Sequence, residues 1–133
     1  MLFESGSNIE YINDGAFNNA KLRVIQFPKS LKEIGLGAFQ GCASLEFIDF
    51  MVDGNLKIIQ TKAFAECINL ECLLIPENIE EIHERAFKEC IALEDIHFYK
   101  YGKSLYTISK YVFEMCTSLE YIIMSNYIDH LNE

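Results

Sequence analysis

Apolar residues recur along this chain at fixed offsets rather than at a single helix or strand period. Between Leu31 and Phe50 they fall at Leu31, Ile34, Ala38, Phe39, Cys42, Leu45, Ile48 and Phe50. Neither a 3.6-residue spacing nor strict alternation runs through that stretch. The set as a whole recurs instead. An Ala-Phe pair returns at Ala16-Phe17, Ala38-Phe39, Ala63-Phe64 and Ala86-Phe87, and then as Val112-Phe113, with the phenylalanines stepping by 22, 25, 23 and 26 residues. Three residues after each Phe come Ala20, Cys42, Cys67, Cys90 and Cys116. Upstream lies Leu/Ile-x-x-Ile, from Ile9/Ile12 to Leu105/Ile108. Downstream lies Leu-x-x-Leu/Ile-x-apolar, from Leu22/Ile25/Phe27 to Leu119/Ile122/Met124. A fixed period of this length is the sequence mark of a stacked-repeat architecture.

Each unit predicts two short extended segments and one tight turn. The Leu-x-x-Leu-x-Leu segment forms a concave parallel sheet, and the Leu-x-x-Ile segment runs along the opposite side and pairs into a second sheet. The stretch carrying Ala-Phe-x-x-Cys is too short for a long helix and suits a turn or a single 3₁₀-like turn. One unit cannot bury its apolar side alone; about three must stack. The pattern supplies about five, at roughly 9–30, 31–55, 56–78, 79–104 and 105–127, with partial units at Leu2-Phe3 and at Ile128 and Leu131. No Gly/Ser linker divides the 133 residues, so the whole of 1–133 reads as one solenoid domain.

Leu-x-x-Leu-x-Leu is the strand signature of a leucine-rich repeat. With the added Ile-x-x-x-Ala-Phe-x-x-Cys-x-x-Leu, the chain from Ile9 to Met124 resembles the BspA-like (treponemal-type) leucine-rich repeat family. The resemblance implies an α/β-type solenoid that is predominantly β, with a concave parallel sheet, short convex strands and short turns. It implies a module for adhesion and protein recognition, often on cell surfaces, with no family-wide catalytic residues. The first unit departs from the pattern: it is one residue short between Phe17 and Leu22, and has Ala20 in place of Cys.

A longer period lies over the first. The corners that follow the concave strands alternate between long and short. Glycine occupies the long ones at Gly6, Gly54 and Gly102, and proline opens two short ones at Pro28 and Pro76. Glycine here predicts positive φ in a projecting corner, and proline a tight turn that needs no N–H. The corner from Tyr99 to Ser104 brings Tyr99, Tyr101, Lys100 and Lys103 to an otherwise acidic molecule, and is expected to be exposed and to join the partner surface.

The net charge is −9, from 20 acidic and 11 basic residues. That balance argues against nucleic acid, which needs a basic face, and against anionic membrane surfaces. No apolar run is long enough for a membrane helix. The first residues carry acids and no apolar signal core. As written the chain is expected to be cytoplasmic, or at the cell surface if it is a fragment of a longer exported protein. Four of the five cysteines occupy one repeat column without a C-x-x-C spacing. They read as buried free thiols that pack as small hydrophobes.

Function is placed on the outward residues of the concave strands. The third position of each segment gives Val24, Phe47, Cys72, Asp95 and Tyr121; the fifth gives Gln26, Asp49, Leu74, His97 and Ile123. Val24, Phe47, Leu74, Tyr121 and Ile123 are apolar or aromatic with no core role, which marks a binding patch. The second position, Arg23, Glu46, Glu71, Glu94 and Glu120, reads as a solvated rim or as a clamp for a basic partner or a cation. Cys72 beside Asp95 and diagonal to His97 invites a nucleophile reading, or with Asp49 a metal site. Nothing in the spacing supplies an oxyanion hole or a ligand motif, and no P-loop, dinucleotide-binding or hydrolase motif occurs. The expectation is a non-enzymatic protein-binding module without metal or cofactor. The alternative is a segment of a longer array that stacks end to end or self-associates.

Overall fold

The computed structural model describes residues 3–4, 6–99 and 107–124. The chain winds as a β-solenoid whose every circuit contributes two strands. The two-residue strands β1 (Tyr11–Ile12), β3 (Glu33–Ile34), β5 (Ile58–Ile59), β7 (Glu81–Ile82) and β9 (Thr107–Ile108) form one parallel five-stranded sheet in chain order. The opposite side carries β2 (Val24–Gln26), β4 (Phe47–Asp49), β6 (Cys72–Ile75), β8 (Asp95–Phe98) and β10 (Tyr121–Met124). No helix occurs among the described residues, so the segment between the two strands stays a chain of turns.

Register follows from the repeat. Ile12, Ile34, Ile59, Ile82 and Ile108 stand over one another, as do Ile25 and Ile48, and Leu73, Ile96 and Ile122. The concave side divides in two. β2 pairs with β4, and β6, β8 and β10 form a three-stranded ladder. Between them the bond that would open a ladder, from Glu71 N–H to Glu46 C=O, is stretched to 3.4 Å.

The spine is aromatic. Phe17, Phe39, Phe64, Phe87 and Phe113 stack nearly parallel, with centroids 5.1, 5.1, 5.3 and 5.8 Å apart. That spacing is close to the strand separation of about 4.8 Å, so each ring lies on the equivalent ring of the next layer. Phe39, Phe64 and Phe87 have no exposed surface, as expected. A second column, Phe3, Phe27 and Phe50, stacks beside the first and meets it edge to face, Phe27 against Phe39 at 5.6 Å and Phe50 against Phe64 at 5.8 Å. Offset-parallel and edge-to-face pairs are both favourable ring geometries. The rings therefore fill the core in two directions without a polar atom; the buried set contains no polar or charged residue.

The turns show how a backbone of this curvature satisfies itself. Alternate amides bond within the turn and to the next layer: Ala38 N–H to Gly35 C=O, Phe39 N–H to Ala63 C=O, Gln40 N–H to Gly37 C=O, Gly41 N–H to Ala65 C=O. To aim amides both ways, the residues two before and two after each Phe take left-handed φ. In the first two circuits glycine holds three of the four places, Gly15, Gly37 and Gly41, and asparagine the fourth, Asn19. Later circuits use Lys62, Glu66, Arg85, Glu89, Tyr111 and Met115, with φ between 56° and 62°. A left-handed side-chain-bearing residue costs about 1–2 kcal/mol, which the interlayer bonds of the turn offset.

The cysteine column has a second reason beyond packing. Cys42 Sγ donates to Phe17 C=O at 3.2 Å, Cys67 to Phe39 C=O at 3.4 Å, Cys90 to Phe64 C=O at 3.3 Å and Cys116 to Phe87 C=O at 3.2 Å. A small apolar side chain with one weak donor fits a carbonyl that faces the core. All are free thiols. Cys42, Cys67 and Cys90 are buried as expected, but Cys116 is only partly covered, because it is the outermost member of the ladder among the described residues. The same end effect leaves Ile9, Ile108, Ile122 and Met124 exposed, although their columns point inward elsewhere.

The corners agree with the longer period in their fastening and depart from it in their glycines. Pro28 and Pro76 open matching turns, closed by Leu31 N–H to Pro28 C=O at 3.1 Å and Ile79 N–H to Pro76 C=O at 3.4 Å. Two residues after each proline a side chain reaches back to the preceding long corner: Ser30 Oγ donates to Ser7 C=O and Asn78 Nδ2 to Gly54 C=O. Gly6 has the expected positive φ of 82°, but Gly54 does not; Met51, at 57°, takes that role. Gly54 is buried, and a Cβ there would lie 2.9 Å from Met51 C=O, so glycine serves close approach. Gly102 and Tyr101 lie outside the described residues.

Two stability predictions follow from the spine and the turns. Phe64→Ala should lose about 3–5 kcal/mol through the cavity left between Phe39 and Phe87, measured by denaturant unfolding. Lys62→Gly should be neutral or stabilising by up to about 1 kcal/mol, since relief of the left-handed conformation outweighs the added chain entropy. Lys62→Ala, which keeps the Cβ, should show no such gain in the same titration.

Candidate functional site: the concave sheet

The concave strands alternate as the sequence demands. Ile25, Ile48, Leu73 and Ile96 point into the core and are buried, while their neighbours point outward. Register then decides which outward residues meet. Val24 stands beside Phe47, and Gln26 beside Asp49, on the β2–β4 pair. On the three-stranded ladder Cys72, Asp95 and Tyr121 form one row, and Leu74, His97 and Ile123 the other. The stretched seam between β4 and β6 separates the two groups. Val24, Phe47, Leu74, Tyr121 and Ile123 are all exposed, Tyr121 to 59%. Tyr99 is exposed where β8 enters its corner, its N–H bonded to Ile75 C=O at 2.9 Å.

The two halves differ in charge. On β2–β4 the polar groups satisfy one another. Arg23 clasps Glu46 through Nε–Oε1 at 3.1 Å and Nη2–Oε2 at 2.9 Å. Asp49 accepts from Gln26 Nε2 and from Met51 N–H, each at 2.9 Å, so its carboxylate fastens the corner as well as facing outward. The sequence pairs Arg23 with Glu46 through the repeat offset, a signal that reading the column as one acidic rim passes over. On the ladder half, Glu71, Glu94 and Glu120 follow one another in adjacent layers, with Glu94 N–H on Glu71 C=O and Glu120 N–H on Glu94 C=O. All three are exposed, and none has an ion pair among the described residues.

Cys72 stands beside Asp95, with His97 one row away. No hydrogen bond joins the thiol to the imidazole among the described residues. Partial burial pushes the Cys72 thiol up, and the charges of Glu71 and Asp95 push it further. An activated nucleophile needs the opposite, an electropositive setting that favours the thiolate. Burial also raises Cys42 and Cys67. Among the described residues no group of three His, Cys, Asp or Glu side chains is arranged to hold a metal ion, and no helix is long and apolar enough to cross a membrane.

The family model described as "BspA type Leucine rich repeat region (6 copies)" matches residues 3–119. The chain belongs to the BspA-type leucine-rich repeat family. Solved leucine-rich repeat structures superpose on it. The leucine-rich repeat protein of T. pallidum matches at a TM-score of 0.80 and 25% identity, over 91% of this chain and 56% of that one. A leucine rich cell surface protein from Faecalibacterium prausnitzii A2-165 matches at 0.82 and 30% identity, over 96% of this chain and 32% of that one. A leucine-rich repeat protein from Bacteroides ovatus matches at 0.73 and 28% identity, over 87% and 30%. This BspA-type chain thus spans about half the length of the first of these proteins and about a third of the other two. No match is found among curated protein sequences.

Pulsed alkylation with mass-spectrometric readout tests the thiol environments of this BspA-type solenoid. Near pH 7.5 Cys72 should react more slowly than a free cysteine, because its raised pKa leaves less thiolate, and its rate should keep climbing above the pH where free cysteine levels off. Cys42, Cys67 and Cys90 should stay unlabelled until the chain is unfolded.

Proposed function

We propose that this chain is a non-enzymatic recognition module that binds a protein partner through its concave sheet. The observation that carries the reading is the set of exposed apolar side chains Val24, Phe47, Leu74, Tyr121 and Ile123 on a sheet whose inward residues Ile25, Ile48, Leu73 and Ile96 are buried. These side chains keep between 39% and 59% of their surface exposed, and exposed apolar side chains grouped on one sheet face are the mark of a contact surface. Asp49, Cys72, Asp95 and His97 supply polar contacts between the apolar ones. Tyr99 extends the surface toward the long corner, since tyrosine offers a large contact area at low entropy cost. The solved F. prausnitzii relative is a cell surface protein, which supports adhesion at a surface as the setting, with this chain as part of a longer exported protein.

A second reading is favoured by one specific observation. The core-column residues Ile108, Ile122 and Met124 are exposed at one end of the stack. In this reading the chain is a structural segment whose end stacks on further repeats or on another copy. Light scattering coupled to size-exclusion chromatography separates the two: a monomer at all concentrations favours recognition, while mass that grows with concentration favours stacking.

Affinity capture from an extract of candidate host or partner cells tests the recognition reading. At least one protein retained by the wild-type chain should be lost by about tenfold or more with Phe47→Ser/Tyr121→Ser, hot-spot aromatics carrying most of such contacts. It should be retained by the control Lys62→Ala on the turns. An unchanged capture profile for the concave variant would overturn the reading.

A further inference from the structure

The two halves of the concave sheet differ in what they leave unpaired, and the difference specifies a partner chemistry. On β2–β4 the only basic residue of the second-position column, Arg23, is spent on Glu46. On β6–β8–β10 the same column holds Glu71, Glu94 and Glu120, exposed, joined backbone to backbone, and without an ion pair among the described residues. Like charges at the strand spacing of about 4.8 Å repel. The row next to this acidic column is Cys72, Asp95 and Tyr121, and the row beyond it is Leu74, His97 and Ile123; Leu74, Tyr121 and Ile123 are exposed to 39%, 59% and 44%. Several acids elsewhere are matched across layers: Lys32 with Glu10 at 2.9 Å, Lys57 with Glu80 at 2.8 Å, and Arg85 with Glu114 at 3.0 Å. The ladder half combines three exposed acids in adjacent layers, without an ion pair among the described residues, with exposed apolar side chains on the same sheet.

We propose that the β6–β8–β10 half of the concave sheet receives a basic, amphipathic protein segment, its apolar side chains resting on Leu74, Tyr121 and Ile123 and its lysines or arginines meeting Glu71, Glu94 and Glu120. This rests on the reading of the concave sheet as a recognition surface. None of the three acids has an ion pair among the described residues, so a cation arriving from outside relieves repulsion as well as forming a pair. Tyr121 next to the column, with Leu74 and Ile123 one row beyond, excludes water from one side of those pairs, which strengthens them relative to fully solvated ones. An acidic segment meets repulsion on the same surface, which gives specificity as well as attraction. The β2–β4 half, where Arg23 offsets Glu46 and Asp49 is held by Gln26 and the Met51 amide, adds apolar contact through Phe47 and Val24.

The probe is a synthetic extended peptide that alternates lysine and valine, set against the same peptide with glutamate for lysine and against polylysine of equal charge. Binding is read by isothermal calorimetry at low and at moderate salt. The wild-type chain should bind the lysine–valine peptide, weaken markedly as salt rises, and ignore the glutamate peptide. Glu71→Gln/Glu94→Gln/Glu120→Gln should weaken binding by about tenfold or more with an unchanged thermal midpoint, since all three side chains are exposed. Equal binding by that variant, no binding by the wild type, or binding of polylysine as tight as that of the peptide would each overturn the proposal. Leu74→Ser/Tyr121→Ser distinguishes it from the reading beneath it. If this variant weakens the peptide while the glutamine variant does not, the concave surface stands and its basic preference falls; if it has no effect, the concave surface itself falls.

Discussion

Everything in this structure depends on one constraint: each layer must sit in register on a near copy of itself. A side chain in the core is judged less by its own pocket than by the side chain one repeat away. Phenylalanine meets that demand because flat rings stack at close to the spacing the backbone imposes, as the 5.1 Å separations of Phe17, Phe39 and Phe64 show. Cysteine meets it differently, small enough to stack and able to give its proton to a carbonyl of the layer before. Polar side chains in these columns would have to be satisfied at every layer at once, and none is buried.

The same constraint explains the outside. Lys32, Lys57 and Arg23 find acids one layer away because the repeat brings complementary positions together automatically. A column that mutates to one sign of charge loses that benefit along its whole length. The concave sheet contains both outcomes, a paired half and an unpaired half, separated by the stretched bond between Glu71 and Glu46. The fold supplies the scaffold equally to both, so what distinguishes them is side-chain choice alone.

Much of this was legible in the sequence because a repeat reports its own register. Equivalent columns had to coincide, so the stacked phenylalanines, the inward leucines and isoleucines, and the neighbours of Cys72 could be placed by counting. Counting failed where a conclusion rested on one residue type. Gly54 looked like a left-handed corner residue, but Met51 carries that conformation and Gly54 is there because its Cα lies against a carbonyl. The left-handed pairs flanking each phenylalanine were hidden for the reverse reason: in the later circuits lysine, glutamate, arginine, tyrosine and methionine hold them, and nothing in those side chains announces positive φ. The candidate surface was legible as a set of outward positions. Its split into a paired and an unpaired half was not, because that depends on which side chains reach across a layer.

Stacking by neighbour also sets how such a molecule comes apart. The backbone bonds of a layer reach the layer before and the layer after and no further, as the turn amides of Phe39 and Gly41 show in bonding only to Ala63 and Ala65, while Phe27 also meets the Phe64 ring two units on, edge to face at 6.5 Å. Stability is then a sum of unit and interface terms along a line. Losing the Phe64 layer removes the interfaces to the Phe39 and Phe87 circuits at once and divides the described stack, so damage there is felt beyond one circuit.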